Sequence, residues 1–154
     1  MAILFNKRKR DALQGGGSRL GDGHIGIVTR SAALVPQLAI QLRRFGLAPS
    51  LVVVLEEGLP AGLTVPELLM RLDADPVTDA VLLIGPLDEQ DEAACLAWLA
   101  GHRAKPVVGF IDDTDPAQAQ RARWQQAGAH MTRNPSMLGE LTASVVDTRW
   151  LPFD

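Results

Sequence analysis

The sequence predicts an α/β protein in which a parallel β-sheet is covered by helices on both faces. Two observations carry this prediction: short apolar runs alternate with segments of helical periodicity, and the runs are apolar at nearly every position. Strands that alternate with helices imply right-handed crossovers between parallel strands. A strand that is apolar throughout is typical of a parallel sheet, because both of its faces are buried.

Five strands and five helices follow in order from residue 24. Ser31 precedes the first helical segment as a candidate N-cap, and Gly46 closes that helix. Thr64 opens the second helix, with Pro66 in its first turn, where a missing N–H costs least. Five strands linked in this way favour the order 2-1-3-4-5 of a flavodoxin-like three-layer sandwich. The predicted strands cover residues 24–29, 50–55, 79–85, 106–112 and 129–132, and the predicted helices cover residues 32–45, 64–72, 88–102, 115–127 and 135–147.

The 154 residues fit one domain, residues 24–154, preceded by a basic tail, residues 1–23, that is expected to be flexible. The tail holds five basic and two acidic residues, whereas the rest holds ten basic and sixteen acidic residues. Such a tail is alternatively typical of a segment that contacts nucleic acid, anionic lipid or an acidic partner. The acidic body and the scarcity of aromatic residues argue against nucleic-acid binding by the whole domain.

The sequence predicts a cytoplasmic protein. No apolar run reaches the roughly 18 residues that a membrane span requires, and the apolar residues at the start are too few for a secretory signal. Cys95 is the single cysteine, which excludes an intrachain disulfide and fits a reducing compartment.

The loop after the first strand is the predicted ligand site, because ligands of such sheets bind outside the carboxyl ends of the strands. It reads Arg30, Ser31, Ala32, Ala33. A helix start offers free N–H groups to a phosphate or carboxylate, the Ser31 hydroxyl can donate to that anion, and Arg30 adds charge. The alternative is that Ser31 only caps its helix. No glycine-rich dinucleotide or P-loop motif is present.

Several segments together resemble the C-terminal, flavodoxin-like domain of the succinyl-CoA synthetase α-subunit. The resemblance runs from about residue 24 to residue 145. The segments that carry it are HIGIVTRS at 24–31, DPVTDAVLLIG at 75–85, KPVVGFI at 105–111, AGA at 127–129 and SMLGEL at 136–141.

The resemblance implies a site that has lost its reacting residue. In that family a histidine carries a phosphoryl group, and helices from two subunits point their N-termini at it. The family histidine precedes Ala-Gly-Ala and falls here on Gln126, which cannot form a phosphoramidate. An acid that orients the histidine falls on Pro86, and a Gly-Thr pair after the serine is replaced by Ala32 and Ala33. The α-subunit's CoA-binding domain is expected to be absent, with the basic tail in its place.

The function implied is a noncatalytic partner or regulatory subunit derived from an acyl-CoA synthetase, with an anion pocket retained at residues 30–33. Phosphate, CoA or nucleotide would then be bound through a partner, and a protein partner or a homo-oligomer is expected. The alternative is a subunit of an acyl-CoA (acid–thiol) ligase whose nucleophile and CoA site lie on another chain. A third reading is a small-ligand or CoA-binding module without chemistry. An apolar contact with the partner is expected from an exposed Trp124, Trp150 or the tail at 151–153, and the alternative is that a terminal Trp or Phe folds back onto the core.

His130 is the remaining candidate nucleophile. If it ends the fifth strand, three strand spacings place it roughly 14 Å from the first strand, too far from a phosphate held at Ser31. His24 and His102 have no ligand-like spacing with Cys95, so no zinc site is predicted.

Three acids follow the fourth strand, and two roles are compatible with them. Paired acids at a strand end can bind a metal or act as acid and base, but a solvated loop and a helix cap explain them more simply. A receiver domain is excluded, because it needs acids after the first and third strands. The three acids are Asp112, Asp113 and Asp115.

Overall fold

The computed structural model describes residues 24–59, 62–85, 87–102, 105–111 and 117–150. The predicted tail, Pro86 and the acids at 112–115 lie outside these residues. The described residues form a five-stranded parallel sheet with the order β2-β1-β3-β4-β5, so the predicted fold class and strand order are confirmed. The strands are β1 Ile25–Thr29, β2 Pro49–Val54, β3 Ala80–Gly85, β4 Val107–Ile111 and β5 His130–Thr132, and the helices are α1 Val35–Arg44, α2 Val65–Ala74, α3 Glu89–His102, α4 Ala117–Ala127 and α5 Leu138–Trp150.

The core lies in two layers, one on each face of the sheet. Successive side chains of a strand point to opposite faces, so β1 sends Val28 to one layer and Ile25 and Ile27 to the other. Buried side chains of α2, α3 and α4 cover the Val28 face, and those of α1 and α5 cover the Ile27 face. All five residues of β1 are buried, as expected of a strand in a doubly covered sheet.

The predicted helix caps form, but two helices begin differently from the prediction. Thr64 caps α2 by accepting a hydrogen bond from the Glu67 N–H at 3.3 Å. Gly46 closes the first helix with a φ of +75°, a conformation that glycine adopts without strain. The segment predicted as one helix from residue 32 starts as a 3-10 turn, Ala32–Leu34, and the segment from residue 135 starts likewise, Pro135–Met137. In both, a proline lies within the first two positions of a helical turn.

Gln41 joins the two helices on the Ile27 face. It is buried on α1, and its side-chain amide donates to the Pro135 carbonyl at 3.1 Å. Its side-chain oxygen accepts from the Gly139 N–H at 2.7 Å, at the start of α5. One side chain therefore satisfies backbone groups at a helix start, which would otherwise be buried without partners.

Glu92 joins α3 and α4 on the opposite face. Its carboxylate accepts from the indole N–H of Trp124 at 3.2 Å and from the Arg123 guanidinium at 2.9 Å. Trp124 is 3% exposed, so the reading of this residue as an exposed partner contact is wrong. Burial of the indole leaves no unsatisfied donor, because an acid on the neighbouring helix accepts its N–H.

Among the described residues, no helix combines the length and the apolar character that crossing a bilayer requires.

Candidate functional site

The carboxyl ends of the strands form a groove at the switch point of the sheet. The chain leaves β1 towards β2 on one side, and β3 pairs with β1 on the other. The groove has a volume of about 470 Å³, within the range of small-molecule sites. Its position agrees with the prediction that a ligand site lies after the first strand. The lining residues are Thr29, Arg30, Ser31, Ala33, Leu34, Glu56, Ile84, Gly85, Phe110 and Pro135.

Three hydrogen bonds hold the loop at the head of this groove. The Arg30 N–H donates to the Ile84 carbonyl at 2.9 Å, and the Arg30 carbonyl accepts from the Glu56 N–H at 3.0 Å. The Thr29 hydroxyl donates to the Ser31 carbonyl at 2.7 Å. The loop is thereby tied to the ends of both strands that flank β1, and its shape is preformed.

The helix start at this loop is weaker as an anion site than the sequence predicts. The Ser31 hydroxyl oxygen accepts from the Ala33 N–H at 3.0 Å, so one N–H of the turn is already used in capping. The turn is a 3-10 segment of three residues, and Pro36 removes an N–H at the second position of α1. The capping role that was the alternative for Ser31 is therefore present, and its hydroxyl proton is the group left to donate.

The charges around Arg30 are mixed. Arg30 is exposed and also lines a neighbouring groove of about 250 Å³, together with Glu56, Asp88 and Asp91. Burial, followed by the charge and the hydrogen bond of Asp88, raises the pKa of the Asp91 carboxyl above its ordinary value. Three carboxyl groups thus line one groove with Arg30, the residue predicted to bind an anion. Their negative charges reduce the positive potential around it.

Gln126 does not lie at this groove. It is exposed in the last turn of α4, where the Ala129 N–H closes the helix on the Trp124 carbonyl at 2.9 Å, and β5 begins at His130. In a parallel sheet each strand starts at the amino edge, so the end of α4 lies at the edge opposite Ser31. The expectation that Gln126 faces the helix start at residues 31–33 is corrected by this topology. Pro86, the other implied position, lies outside the described residues.

His130 is also separated from β1 and from the loop at Ser31. Its neighbours across the sheet are Val108, Leu82 and Ile27 in successive strands, so three strand spacings lie between His130 and β1. At about 4.8 Å per spacing this amounts to about 14 Å. The strand order on which this distance was predicted is confirmed.

The described residues contain no cluster of three or more histidine, cysteine or acidic side chains that could hold a metal ion. His24 contacts groups of its own domain: its Nδ1 lies 2.9 Å from the Val77 carbonyl oxygen and 3.6 Å from an Asp79 carboxylate oxygen. The acids predicted as a solvated loop, at 112–115, fall outside the part of the chain that is described.

Cys95 is expected to resist alkylation in the folded protein. The residue is fully buried on α3, and burial, with the charges of Asp91, Asp88 and Glu92, raises the pKa of its thiol to about 12. Iodoacetamide at pH 8 should label it only after denaturation, because the thiolate is the reactive form. Since the folded state holds the proton more tightly, the stability linked to this thiol is present below pH 9 and is lost between pH 9 and about 12. Rapid labelling without denaturant, measured by mass spectrometry, would contradict the assignment.

The structure also reveals a second groove at the outer end of the carboxyl edge, between α4 and the segment that follows β5. Arg121 and Arg133 line it. In the sequence Arg121 looks like a solvated helix residue. The signal that places it inward is its spacing of three from Trp124, which puts both on one side of α4.

Curated proteins that this chain is similar to are α-subunits of CoA ligases. The chain is 29% identical over 143 residues to the succinate–CoA ligase [ADP-forming] α-subunit of Aquifex aeolicus, a match that covers 80% of the chain and 47% of that protein. It is 30% identical over 136 residues to the corresponding subunit of Methanothermobacter thermautotrophicus, covering 76% of the chain and 46% of that protein. It is 33% identical over 89 residues to the malate–CoA ligase α-subunit of Methylorubrum extorquens, covering 58% of the chain and 30% of that protein. The chain therefore spans half or less of the length of these relatives.

Solved structures with the same fold include larger CoA-dependent enzymes. An ATP citrate lyase from Methanosaeta concilii superimposes with a TM-score of 0.68 at 20% identity, over 82% of this chain and 24% of that one. A dinucleotide-forming acetyl-coenzyme A synthetase from Ca. Korarchaeum cryptofilum superimposes with a TM-score of 0.56 at 18% identity, over 77% of this chain and 29% of that one. At these identities the superpositions show the fold. No protein-family model matches the chain. The resemblance read from the sequence motifs is confirmed: over most of its length the chain is related to the α-subunits of succinate–CoA ligase, and it forms a CoA-ligase-related, flavodoxin-like domain.

Proposed function

We propose that this chain is a noncatalytic partner or regulatory subunit related to CoA ligases. The observation that carries the proposal is the position of its three histidines, the residue type that the resemblance implies as phosphoryl carrier. His24 precedes β1 and His102 ends α3, so both lie towards the amino edge of the sheet. His130 starts β5, three strands away from β1. Among the side chains that the structure describes, no histidine lines the groove at the switch point.

The first test asks whether the chain becomes phosphorylated. The purified chain is incubated with radiolabelled ATP or GTP and Mg²⁺, and separately with succinyl-CoA and labelled phosphate. We expect no acid-labile phosphoprotein, because no described imidazole lies at the groove to accept the group. A succinate–CoA ligase from one of the named relatives serves as the positive control. A label that is stable to alkali, released by acid and lost in His130→Gln would overturn the proposal.

The alternative is a subunit of an acid–thiol ligase whose nucleophile and CoA site lie on another chain. The observation that favours it is the open groove of about 470 Å³, which a purely structural subunit does not require. Affinity purification of the tagged chain from its native host distinguishes the two. A stable complex with acyl-CoA ligase activity that falls when this chain is withheld supports the alternative. A complex whose basal activity is unchanged when this chain is withheld supports the noncatalytic role.

The groove is further proposed to retain an anion pocket at Arg30, Ser31, Ala32 and Ala33. The support is the preformed loop, the Ser31 hydroxyl proton and the Arg30 charge, against which the neighbouring carboxylates act. Phosphate should then raise the melting temperature, and Arg30→Gln should reduce the rise. If phosphate raises the melting temperature of Arg30→Gln as much as that of the parent chain, the anion pocket at residues 30–33 is refuted. The noncatalytic proposal is not affected by that result.

A further inference from the structure

The second groove at the carboxyl edge has the volume and the charge of a ligand site. It measures about 530 Å³ and lies between α4 and the segment that follows β5. It shares no lining residue with the groove at the switch point, although Asn134 here and Pro135 there are neighbours in the chain. Like that groove, it opens near the carboxyl ends of strands, where ligands of parallel sheets bind. Its lining residues are Arg121, Ala122, Gln125, Met131, Thr132, Arg133 and Asn134.

Arg121 is the unusual member of this lining. Arg121 is only 6% exposed. Within the described part of the chain, no carboxylate or carbonyl pairs with its guanidinium. An arginine cannot discharge itself by losing a proton at ordinary pH. Because no described residue pairs with this buried charge, an anion that accepts its N–H groups would stabilise it.

Arg133 adds a second positive charge to the same groove from the loop after β5. Among the described residues that line the groove, none is acidic, in contrast to the groove beside Arg30. The neighbouring loop is held in one shape: the Thr132 hydroxyl accepts from the Asn134 N–H at 3.1 Å, and the Asn134 side-chain oxygen accepts from the Ser136 N–H at 3.0 Å. Arg133 therefore projects from a fixed turn, and Gln125 supplies a further polar side chain to the lining.

We propose that this groove binds a small oxyanion, a carboxylate or a phosphate, between Arg121 and Arg133. The planar guanidinium matches both groups because it offers two parallel N–H donors to two oxygens. The site does not depend on the proposed function, since none of its residues belongs to the groove at the switch point. A carboxylic acid and a phosphate have different sources, and the experiment separates them.

The test measures binding of inorganic phosphate and of succinate by isothermal titration calorimetry and by thermal melting, with sodium chloride at equal ionic strength as the reference. The full chain should bind at least one of the two oxyanions, and chloride should have no comparable effect. Arg133→Gln changes an exposed residue and should weaken binding about tenfold or more, since a charge-assisted hydrogen bond is worth at least that factor. Arg121→Met, which keeps an unbranched apolar stem but removes the charge, should abolish it. Arg43→Gln, an exposed arginine on α1, is the matched control and should bind like the parent chain.

Binding that survives Arg121→Met and Arg133→Gln would overturn the proposal. Binding lost only in Arg30→Gln would also overturn it, and would place the oxyanion at the switch-point groove instead. A sharp fall in melting temperature of Arg121→Met without any ligand would show that Arg121 serves an ion pair within this chain, and this too would overturn the proposal. A response to phosphate alone or to succinate alone, if lost in both arginine variants, supports it and identifies the ligand chemistry.

Discussion

Replacing Leu82 with alanine is expected to lower the free energy of unfolding by about 2–5 kcal/mol, the range for removing a fully buried leucine side chain. Leu82 is 0% exposed in β3, the central strand of the sheet. It pairs with Ile27 of β1 and Val108 of β4, both also fully buried. The cavity would lie in the core layer under α1 and α5, beside the Ile27 and Val108 side chains, which the ladder hydrogen bonds of their strands keep from moving into it. Urea unfolding followed by circular dichroism measures the loss.

Ile40→Ala provides the matched control for this prediction. Ile40 is a similarly sized apolar residue on α1 that is 56% exposed, so its truncation should change stability by no more than about 0.5 kcal/mol. An equal loss in both variants would mean that the stability is not concentrated in the two core layers.

Gly139→Ala is expected to destabilise the protein by about 1–3 kcal/mol, the usual cost of overpacking. A Cβ at this position would lie 2.5 Å from the Cβ of Gln41 and 3.0 Å from its carbonyl carbon. These atoms belong to the backbone and the first side-chain carbon of α1, so the two helices must move apart. That movement would also stretch the hydrogen bond of 2.7 Å from the Gly139 N–H to the Gln41 side chain.

Gly101→Ala is the same substitution at a site where it should raise stability and not lower it. Gly101 lies near the end of α3, and a Cβ there would meet no atom within 4 Å. Alanine should therefore stabilise this helix by up to about 1 kcal/mol, because it loses less backbone freedom on folding than glycine does. Melting temperatures of the two variants should move in opposite directions. A stabilised Gly139→Ala would show that the contact between α1 and α5 is looser than described.

The fold could be predicted because local signals and global topology agree along the chain. The apolar strands, the Thr64 cap and the closing Gly46 each point to the same architecture, and the structure contains all of them. The 3-10 starts were less predictable. A proline near a helix start is compatible with either geometry, and the choice at Pro135 depends on the contact with Gln41, which is 94 residues away in sequence.

The candidate site was predicted less completely, for two physical reasons. The Ala-Gly-Ala motif after Gln126 describes a helix end, and a short motif carries no information about the edge of the sheet at which that end lies. The electrostatics of a groove depend on residues brought together from separate segments. Asp88 and Asp91, at the start of α3, line one groove with Arg30, and Arg121 and Arg133, from either side of β5, line another. No local pattern of charges in the sequence predicts either arrangement.

The hydrogen bonds of Gln41 have a consequence for the switch-point groove. One wall of that groove is carried by the turn that leads into α1, and Pro135, which precedes α5, stands in another wall. Gln41 binds the Pro135 carbonyl and the start of α5 from its place on α1, so its amide contributes to the separation of these walls, together with the core layer that Leu38, Leu42 and Leu138 share. A ligand bound there as proposed would meet a largely preformed opening and lose little affinity to the ordering of its surroundings. We expect the groove to favour small ligands, because widening it would require the two helices to part.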